Sequence, residues 1–178
     1  MGTSTTYELI PSMNSDRLEC LGVIPEDRRL LGVSVAQMAE HLGGELIICE
    51  ERSDNLVEHV MVGGFGMDPG EVHFSVYDNK AVIVRGDRPD VQMAALKTST
   101  SCMVLTKGIG PIEYVKYEAE QENVPLIVVE TDTISTMEML DELIDIAQFD
   151  HHKKLERYGD LLEQHVDLTS LLGRLGLE

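Results

Sequence analysis

Chemistry in this chain gathers in three short polar segments: Gly86-Asp87-Arg88-Pro89, Thr106-Lys107-Gly108 and Glu130-Thr131-Asp132-Thr133. Arg88 and Lys107 supply two cations, and Thr106 and Thr133 supply two hydroxyls. That is a donor set for a small anion, because a guanidinium fork grips a phosphate or carboxylate through two parallel bonds. Asp87 has two readings, as the cap of a helix beginning at Arg88-Pro89-Asp90 or as a ligand contact. Asp132-Thr133 either closes a turn ahead of the next helix or joins the ligand site. Capping does not explain Arg88, since a cation at a helix N-terminus opposes the dipole. It is read as a ligand fork or as the partner of Asp132. Catalysis is not expected: none of the six histidines falls in these segments, and no nucleophile has a base beside it.

The elements that must position these residues are three strand–loop–helix units in a row. The apolar runs Ala81–Val84, Cys102–Leu105 and Leu126–Val129 each enter one polar segment. The stretches Asp90–Leu96, Pro111–Glu122 and Thr136–Ala147 follow as helices. Uninterrupted β-branched runs suit strands buried on both faces, and strands joined by helices pair in parallel. Parallel pairing brings all three loops to the carboxyl edge of one sheet, the edge at which ligands of open α/β sheets bind. The sites expected there are Asp87, Arg88, Thr106, Lys107, Gly108, Asp132 and Thr133, with three helix N-termini adding free N–H groups.

Composition narrows the function. A formal charge of −18 over 178 residues argues against a nucleic-acid or anionic-membrane surface, both of which need clustered Lys and Arg. No apolar run approaches the roughly 20 residues of a membrane span, and no basic segment precedes an apolar one near residue 1, so a cytoplasmic protein is expected. Cys20, Cys49 and Cys102 are odd in number and far apart, and no CxxC or HxxxH spacing suggests a metal. Cys49 and Cys102 sit in apolar runs and read as small core residues. The chain contains neither GxGxxG nor GxxxxGK[ST], so no cofactor is expected, and Gly63-Gly64-Phe65-Gly66 reads as a tight turn.

Along the rest of the chain, Met1–Thr6 reads as disordered and Leu21–Ile24 as a short strand. Glu26–Arg29 reads as a solvated charge run. Ser34-Val35-Ala36-Gln37 is a capping box that opens a helix stopped by Gly43-Gly44. Glu45–Cys49 and Leu56–Val62 read as strands. Asp68-Pro69-Gly70-Glu71 has cap, N1 proline and N3 glutamate, and predicts a helix ended by Asp78-Asn79. Ser135–Glu138 is a second capping box, opening a helix with Met137, Leu140, Leu143, Ile144 and Ala147 as its apolar stripe. A last helix, about His151–His165, shows Leu155, Tyr158, Leu161 and Leu162 on one face. The Leu-rich Val166–Leu177 follows as a partner-packing or intersubunit tail.

Several of these residues carry a family resemblance. Met67-Asp68-Pro69, Gly86-Asp87-Arg88, Ala94-Ala95-Leu96, Leu105-Thr106, Pro111, Val124-Pro125 and Asp132-Thr133 occur in the order found in the DRTGG domain. The stretch of about Gly32–Ile146 therefore resembles that family, which occurs in phosphotransacetylase-family proteins and in CBS-domain pyrophosphatases. Leu21–Leu30 is similar to the closing segment of the dethiobiotin-synthetase-like domain that precedes it in the former. The resemblance implies a small α/β sandwich, with a largely parallel sheet flanked by helices, like the N-terminal domain of HPr kinase. It implies a regulatory or ligand-sensing role without catalytic residues, a small anionic ligand such as a nucleotide or acyl phosphate, and self-pairing. A phosphotransacetylase or dethiobiotin-synthetase-like unit is the implied partner, and a purely structural homodimerisation module is the alternative. The expected organisation is a linker at 1–31, the domain at 32–148 and a helical extension at 149–178. One departure is plain: where the family has Thr-Gly-Gly, this chain has Thr106-Lys107-Gly108.

Overall fold

Lys80–Val84 leaves neither face to water, and these residues lie wholly buried at the heart of a five-stranded sheet. The structure is a computed structural model and describes residues 19–64, 70–145 and 147–177. In chain order the elements of the larger unit, Leu31–Gln148, are β1 (Val33–Ser34), α1 (Val35–Leu42), β2 (Glu45–Ile48), β3 (Leu56–Val57), β4 (His59–Gly63) and α2 (Gly70–Phe74). They continue with β5 (Lys80–Arg85), α3 (Pro89–Leu96), β6 (Thr100–Thr106), α4 (Glu113–Gln121), β7 (Leu126–Val128) and α5 (Thr133–Asp145).

The sheet order is β2-β7-β6-β5-β4. The strands β4 to β7 run parallel, with Val82 opposite Met103 and Val104 opposite Ile127, while β2 lies antiparallel along β7. This is the parallel arrangement that the strand–loop–helix units predict. Because side chains alternate across a strand, one sheet face gathers Ala81, Ile83, Cys102, Val104 and Ile127 with Met38 and Leu42 of α1 and Leu140 and Leu143 of α5. The other gathers Val82, Val84, Met103, Leu105 and Leu126 with Phe74 of α2, Ala95 and Leu96 of α3, and Val115 and Ala119 of α4. Helices α2, α3 and α4 thus cover one face, and α1 and α5 the other.

Several local expectations are corrected. Leu56–Val62 is not one strand: β3 pairs with β1 in a separate antiparallel ribbon, and β4 joins the main sheet after Glu58, whose N–H bonds Asn79 O at 2.8 Å. The helix α2 ends at Phe74, so Val76 and Tyr77 lie beyond it and are exposed. Its expected cap, Asp68-Pro69, lies outside the described residues, as do Met1–Thr6, Phe65-Gly66 and Met67. Cys49 stands after β2 at φ 54° and is only half-buried, whereas Cys102 is buried and its thiol is pushed up to about 12 by burial. The Ser34 capping box forms in full, with both reciprocal bonds present. In α5 the buried stripe is Thr136, Leu140 and Leu143, and Met137 is exposed.

The second unit comprises residues 1–30 and 149–178, and within it α6 (His152–His165) and α7 (Leu168–Leu175) are helical. Leu21–Ile24 forms no strand; a single antiparallel bridge joins Gly22 to Val166, and Asp167 N–H donates to Leu21 O at 2.8 Å. Arg157 pairs with Asp27 at 2.6 Å, so the charge run before α1 is not simply solvated. In α6 Leu161 is buried, but Leu155 and Tyr158 are exposed. No helix among the described residues is long and apolar enough to cross a membrane.

Candidate functional site at the carboxyl edge of the sheet

At the exit of β5 the chain has no room for a side chain. A Cβ on Gly86 would collide with the carbonyl oxygen of Ile109, where the β6–α4 turn crosses over it. Glycine is required here by close approach of backbone to backbone. Asp87, next in line, does not cap α3. Its carboxylate is gripped by the Arg85 fork, with Nε to Oδ1 at 2.9 Å and a second nitrogen on Oδ2. That fork holds the Asp87 carboxyl below its usual range. Arg88 stands at the N-cap of α3 and makes no cap bond of its own. Its guanidinium forks onto Asp90 at 2.9 and 2.8 Å, not onto Asp132. Asp90 sits in the first turn of α3, where the dipole favours a carboxylate, and it is only two residues away.

Gln92, which sequence reasoning missed, anchors this corner from below. It is fully buried, and its Nε2 donates to Arg85 O at 2.9 Å and to Gly86 O at 3.1 Å. Its Oε1 has no hydrogen-bond partner among the described residues. A buried acceptor left unmet costs roughly 1–3 kcal/mol.

The second loop leaves β6 through Thr106, which is wholly buried, and turns through Lys107 at φ 70° and Gly108 at φ 63°. A Cβ on Gly108 would come within 2.6 Å of the Glu130 carboxylate, a flexible side-chain end that can swing aside, so it is the positive φ that favours glycine. A lysine in the left-handed region is strained by about 1–2 kcal/mol. Lys107 N–H donates to Thr131 O at 2.9 Å and Gly108 N–H to Val129 O at 2.8 Å. The backbone donors of this turn are therefore committed to the third loop.

The third loop is organised by Asp132. Its Oδ1 accepts from Ile134 N–H at 2.9 Å and Ser135 N–H at 3.0 Å, so α5 starts at Thr133 and the Ser135 capping box does not form. A carboxylate outcompetes a serine hydroxyl for the same helix end because its bonds are charge-assisted. The Ser135 bond, then the Ile134 bond, holds the Asp132 carboxyl below its usual range. Thr136 is buried, its hydroxyl on Asp132 O and on Thr131 Oγ1, both at 2.7 Å.

The loops do meet. Thr106 and Thr133 hydroxyls lie 3.4 Å apart, and the Lys107 ammonium acts on both Asp87 and Asp132, helping to lower both carboxyls. The chain leaves β6 toward α4 on one face and β7 toward α5 on the other. The gap between those two loops is the place where open α/β sheets form a ligand crevice. The edge is not the basic notch that Arg88 and Lys107 suggest on their own. Three cations, Arg85, Arg88 and Lys107, act on three carboxylates, Asp87, Asp90 and Asp132, and Glu130 adds a fourth carboxylate beside Gly108. Asp90 and Asp132 already occupy the N-terminal turns of α3 and α5, while α4 opens behind Ile112 with no side-chain cap.

Residues 37–143 match the model of the DRTGG domain. The chain belongs to the DRTGG domain family. Its DRTGG domain lies inside the larger unit and includes all seven expected site residues. The phosphate acetyltransferase of Nitratidesulfovibrio vulgaris is 26% identical over 163 residues. That match takes in 86% of this chain but only 23% of the relative, so the chain spans about a quarter of that protein's length. Among solved structures, the CBS and DRTGG domains of the regulatory region of Clostridium perfringens pyrophosphatase, complexed with the activator diadenosine tetraphosphate, superpose with a TM-score of 0.52 at 14% identity. The superposition covers 90% of this chain and 69% of that one, and shows a shared fold.

Proposed function

We propose that this DRTGG domain is a non-catalytic regulatory module of a phosphotransacetylase-type protein in the cytoplasm. It senses a small anionic ligand, a nucleotide or an acyl phosphate, at the carboxyl edge of its sheet. The observation that carries this reading is the convergence of Thr106, Lys107, Thr133, Asp87 and Asp132 from three consecutive loops, with Arg88 at the margin. Gly108 and the Lys107 backbone hold the crevice shut through bonds to the third loop. The arginine pairs are exposed, and exposed ion pairs contribute little to stability. A ligand phosphate can therefore take a guanidinium from its resident carboxylate, so that binding rearranges the loops. That exchange is what a sensor needs. The carboxylates of Asp87, Asp90 and Asp132 are engaged as ion-pair partners or as a cap, which suits regulation better than acid–base work. The acetyltransferase relative and the regulatory region of the pyrophosphatase support the regulatory reading, and point to an acyl- or phosphoryl-transfer enzyme, or a dethiobiotin-synthetase-like unit, as partner.

The test is a thermal-shift and calorimetric screen of the whole chain against nucleotides, acetyl phosphate and coenzyme A. A ligand at 100 times its Kd adds about 2.7 kcal/mol to stability. Arg88→Ala must weaken binding without lowering the melting temperature of the free protein. If no anionic metabolite binds below millimolar, the sensing reading fails.

A second reading, homodimerisation, is favoured by one observation. Ile109, Ile112, Ile134 and Met137 are exposed on the loops and first helical turns that follow β6 and β7, with Ile134 at 70%. Sedimentation of a dimer that Ile134→Glu dissociates would support it. A clean monomer at micromolar concentration removes it.

A further inference from the structure

Left-handed backbone at a residue other than glycine is costly and clusters at ligand clamps, and Lys107 stands at φ 70° in the middle of the carboxyl edge. The bonds from its own N–H to Thr131 O and from Gly108 N–H to Val129 O pin that turn to the third loop. Lys107 is exposed, and its ammonium makes no hydrogen bond or ion pair with any described residue. It acts through space on Asp87 of the first loop and on Asp132 of the third. The other two cations differ, because Arg85 is forked onto Asp87 and Arg88 onto Asp90. A guanidinium drawn to a ligand uncovers its carboxylate, so that exchange adds no net positive charge to the edge. Glu130 sets one more carboxylate over Gly108, and Asp132 already fills the N-terminal turn of α5. Of the three cations, Lys107 alone can meet an anion without exposing an acid.

Resting on the sensing role proposed above, we infer that Lys107 is the specificity-determining contact of this edge and selects a ligand with a single phosphate group over a polyphosphate. One phosphate takes the one uncommitted ammonium. Every further phosphate must take a guanidinium from Asp87 or Asp90, and it then lies beside the carboxylate it has uncovered. Like charges set together are how a site rejects the wrong partner. Acyl phosphates and nucleoside monophosphates fall inside the class. Nucleoside triphosphates and dinucleoside polyphosphates, free of divalent cation, fall outside it.

The experiment titrates four probes into the whole chain by calorimetry with a chelator present: acetyl phosphate, adenosine 5′-monophosphate, adenosine 5′-triphosphate and diadenosine tetraphosphate. One of the two monophosphates is expected to bind at least about tenfold more tightly than either polyphosphate. Lys107→Gly removes the ammonium and the left-handed strain together. It should weaken that monophosphate at least about tenfold, as the loss of a charged hydrogen bond does, and raise the melting temperature of the free protein. Lys107→Arg, which keeps the charge, should retain most of the affinity. Equal or tighter binding of a polyphosphate overturns the inference and leaves the sensing role standing. An unchanged monophosphate affinity in Lys107→Gly does the same. Binding of none of the probes defeats both.

Discussion

Gly86→Ala tests the loop contact on which the whole edge depends. The added Cβ would meet the carbonyl oxygen and carbon of Ile109 and, at 2.6 Å, its Cβ. The first two are backbone atoms, which cannot rotate out of the way. The turn carrying Ile109 would have to retreat by about an ångström or more, pulling on the bonds from Lys107 N–H to Thr131 and from Gly108 N–H to Val129. Overpacking of this kind costs typically about 1–3 kcal/mol. Gly110→Ala is the matched control, since its Cβ meets nothing and Gly110 is not among the positive-φ glycines. That variant should gain about 0.4–1 kcal/mol by restricting the unfolded chain. The two alanines, one beneath the β6–α4 turn and one within it, should therefore differ by roughly 1.5–4 kcal/mol. With about 1–3 kcal/mol per molar for urea, their unfolding midpoints should separate by on the order of 1 M. Urea titrations followed by far-ultraviolet circular dichroism read this directly. Coincident midpoints would refute the close approach and, with it, the coupling of the first two loops.

Other outcomes follow from the same geometry. Asp132→Ala should lower the melting temperature and speed hydrogen exchange at Ile134 and Ser135, because both amides lose their acceptor; unchanged exchange there would contradict the cap. Asp87, Asp90 and Asp132 are held below the ordinary carboxylate range, so their stabilisation is complete above about pH 4 and is lost as pH falls through the folded values. Asp132→Asn should accordingly flatten the acid limb of a stability–pH curve. Lys80 is wholly buried at the start of β5 with its Nζ on Ser99 O at 2.7 Å, and burial lowers its pKa. Its penalty is full below the folded value and fades as pH rises toward about 10.4, so Lys80→Met should gain most over the parent protein near pH 7 and least near pH 10. Cys102 should resist a thiol reagent in the native state and react only on unfolding, a difference that timed thiol counting detects.

The sheet was legible because its strands are buried on both faces, so Ala81–Val84 and Cys102–Leu105 appear as unbroken apolar runs with no competing helical period. The order of the loops at the carboxyl edge follows from that alone. What the sequence hid was competition among neighbours. Asp87 and Arg88 look complementary to a ligand, but each has a closer partner, Arg85 and Asp90, and pairing at a spacing of two residues leaves no sequence signature. Ser135 fits a capping box, yet Asp132 three residues earlier offers a charged acceptor to the same helix end. Gln92 reads as an ordinary helical glutamine. Its only signal is position, one turn past the N-cap between the apolar Val91 and Met93. The split of Leu56–Val62 between two sheets is a tertiary decision, made by β1 for one half and β5 for the other.

The antiparallel edge strand of the five-stranded sheet, β2, has a consequence for local unfolding. Strands β4 to β7 pair in sequence, each with the next, so their contacts are short-range and form a block that can nucleate by itself. Strand β2 closes onto β7 only across a long excursion of chain, Glu45 meeting Val128. Helix α1, just before it, docks on α5, with the His41 ring 2.8 Å from Met139 O. The segment α1–β2 is thus the piece that can lift away while the parallel block stays folded, and such subglobal openings sit at the low end of the stability range. When it lifts, α5 loses its covering on that face. The start of α5 bears Asp132 and Thr133, so the lifetime of the candidate site is coupled to a flap that supplies none of its seven residues. Hydrogen exchange should find Ile134 and Ser135 opening together with Met38 and Leu42 of α1, and the amides of Val82 and Val104 opening far more slowly.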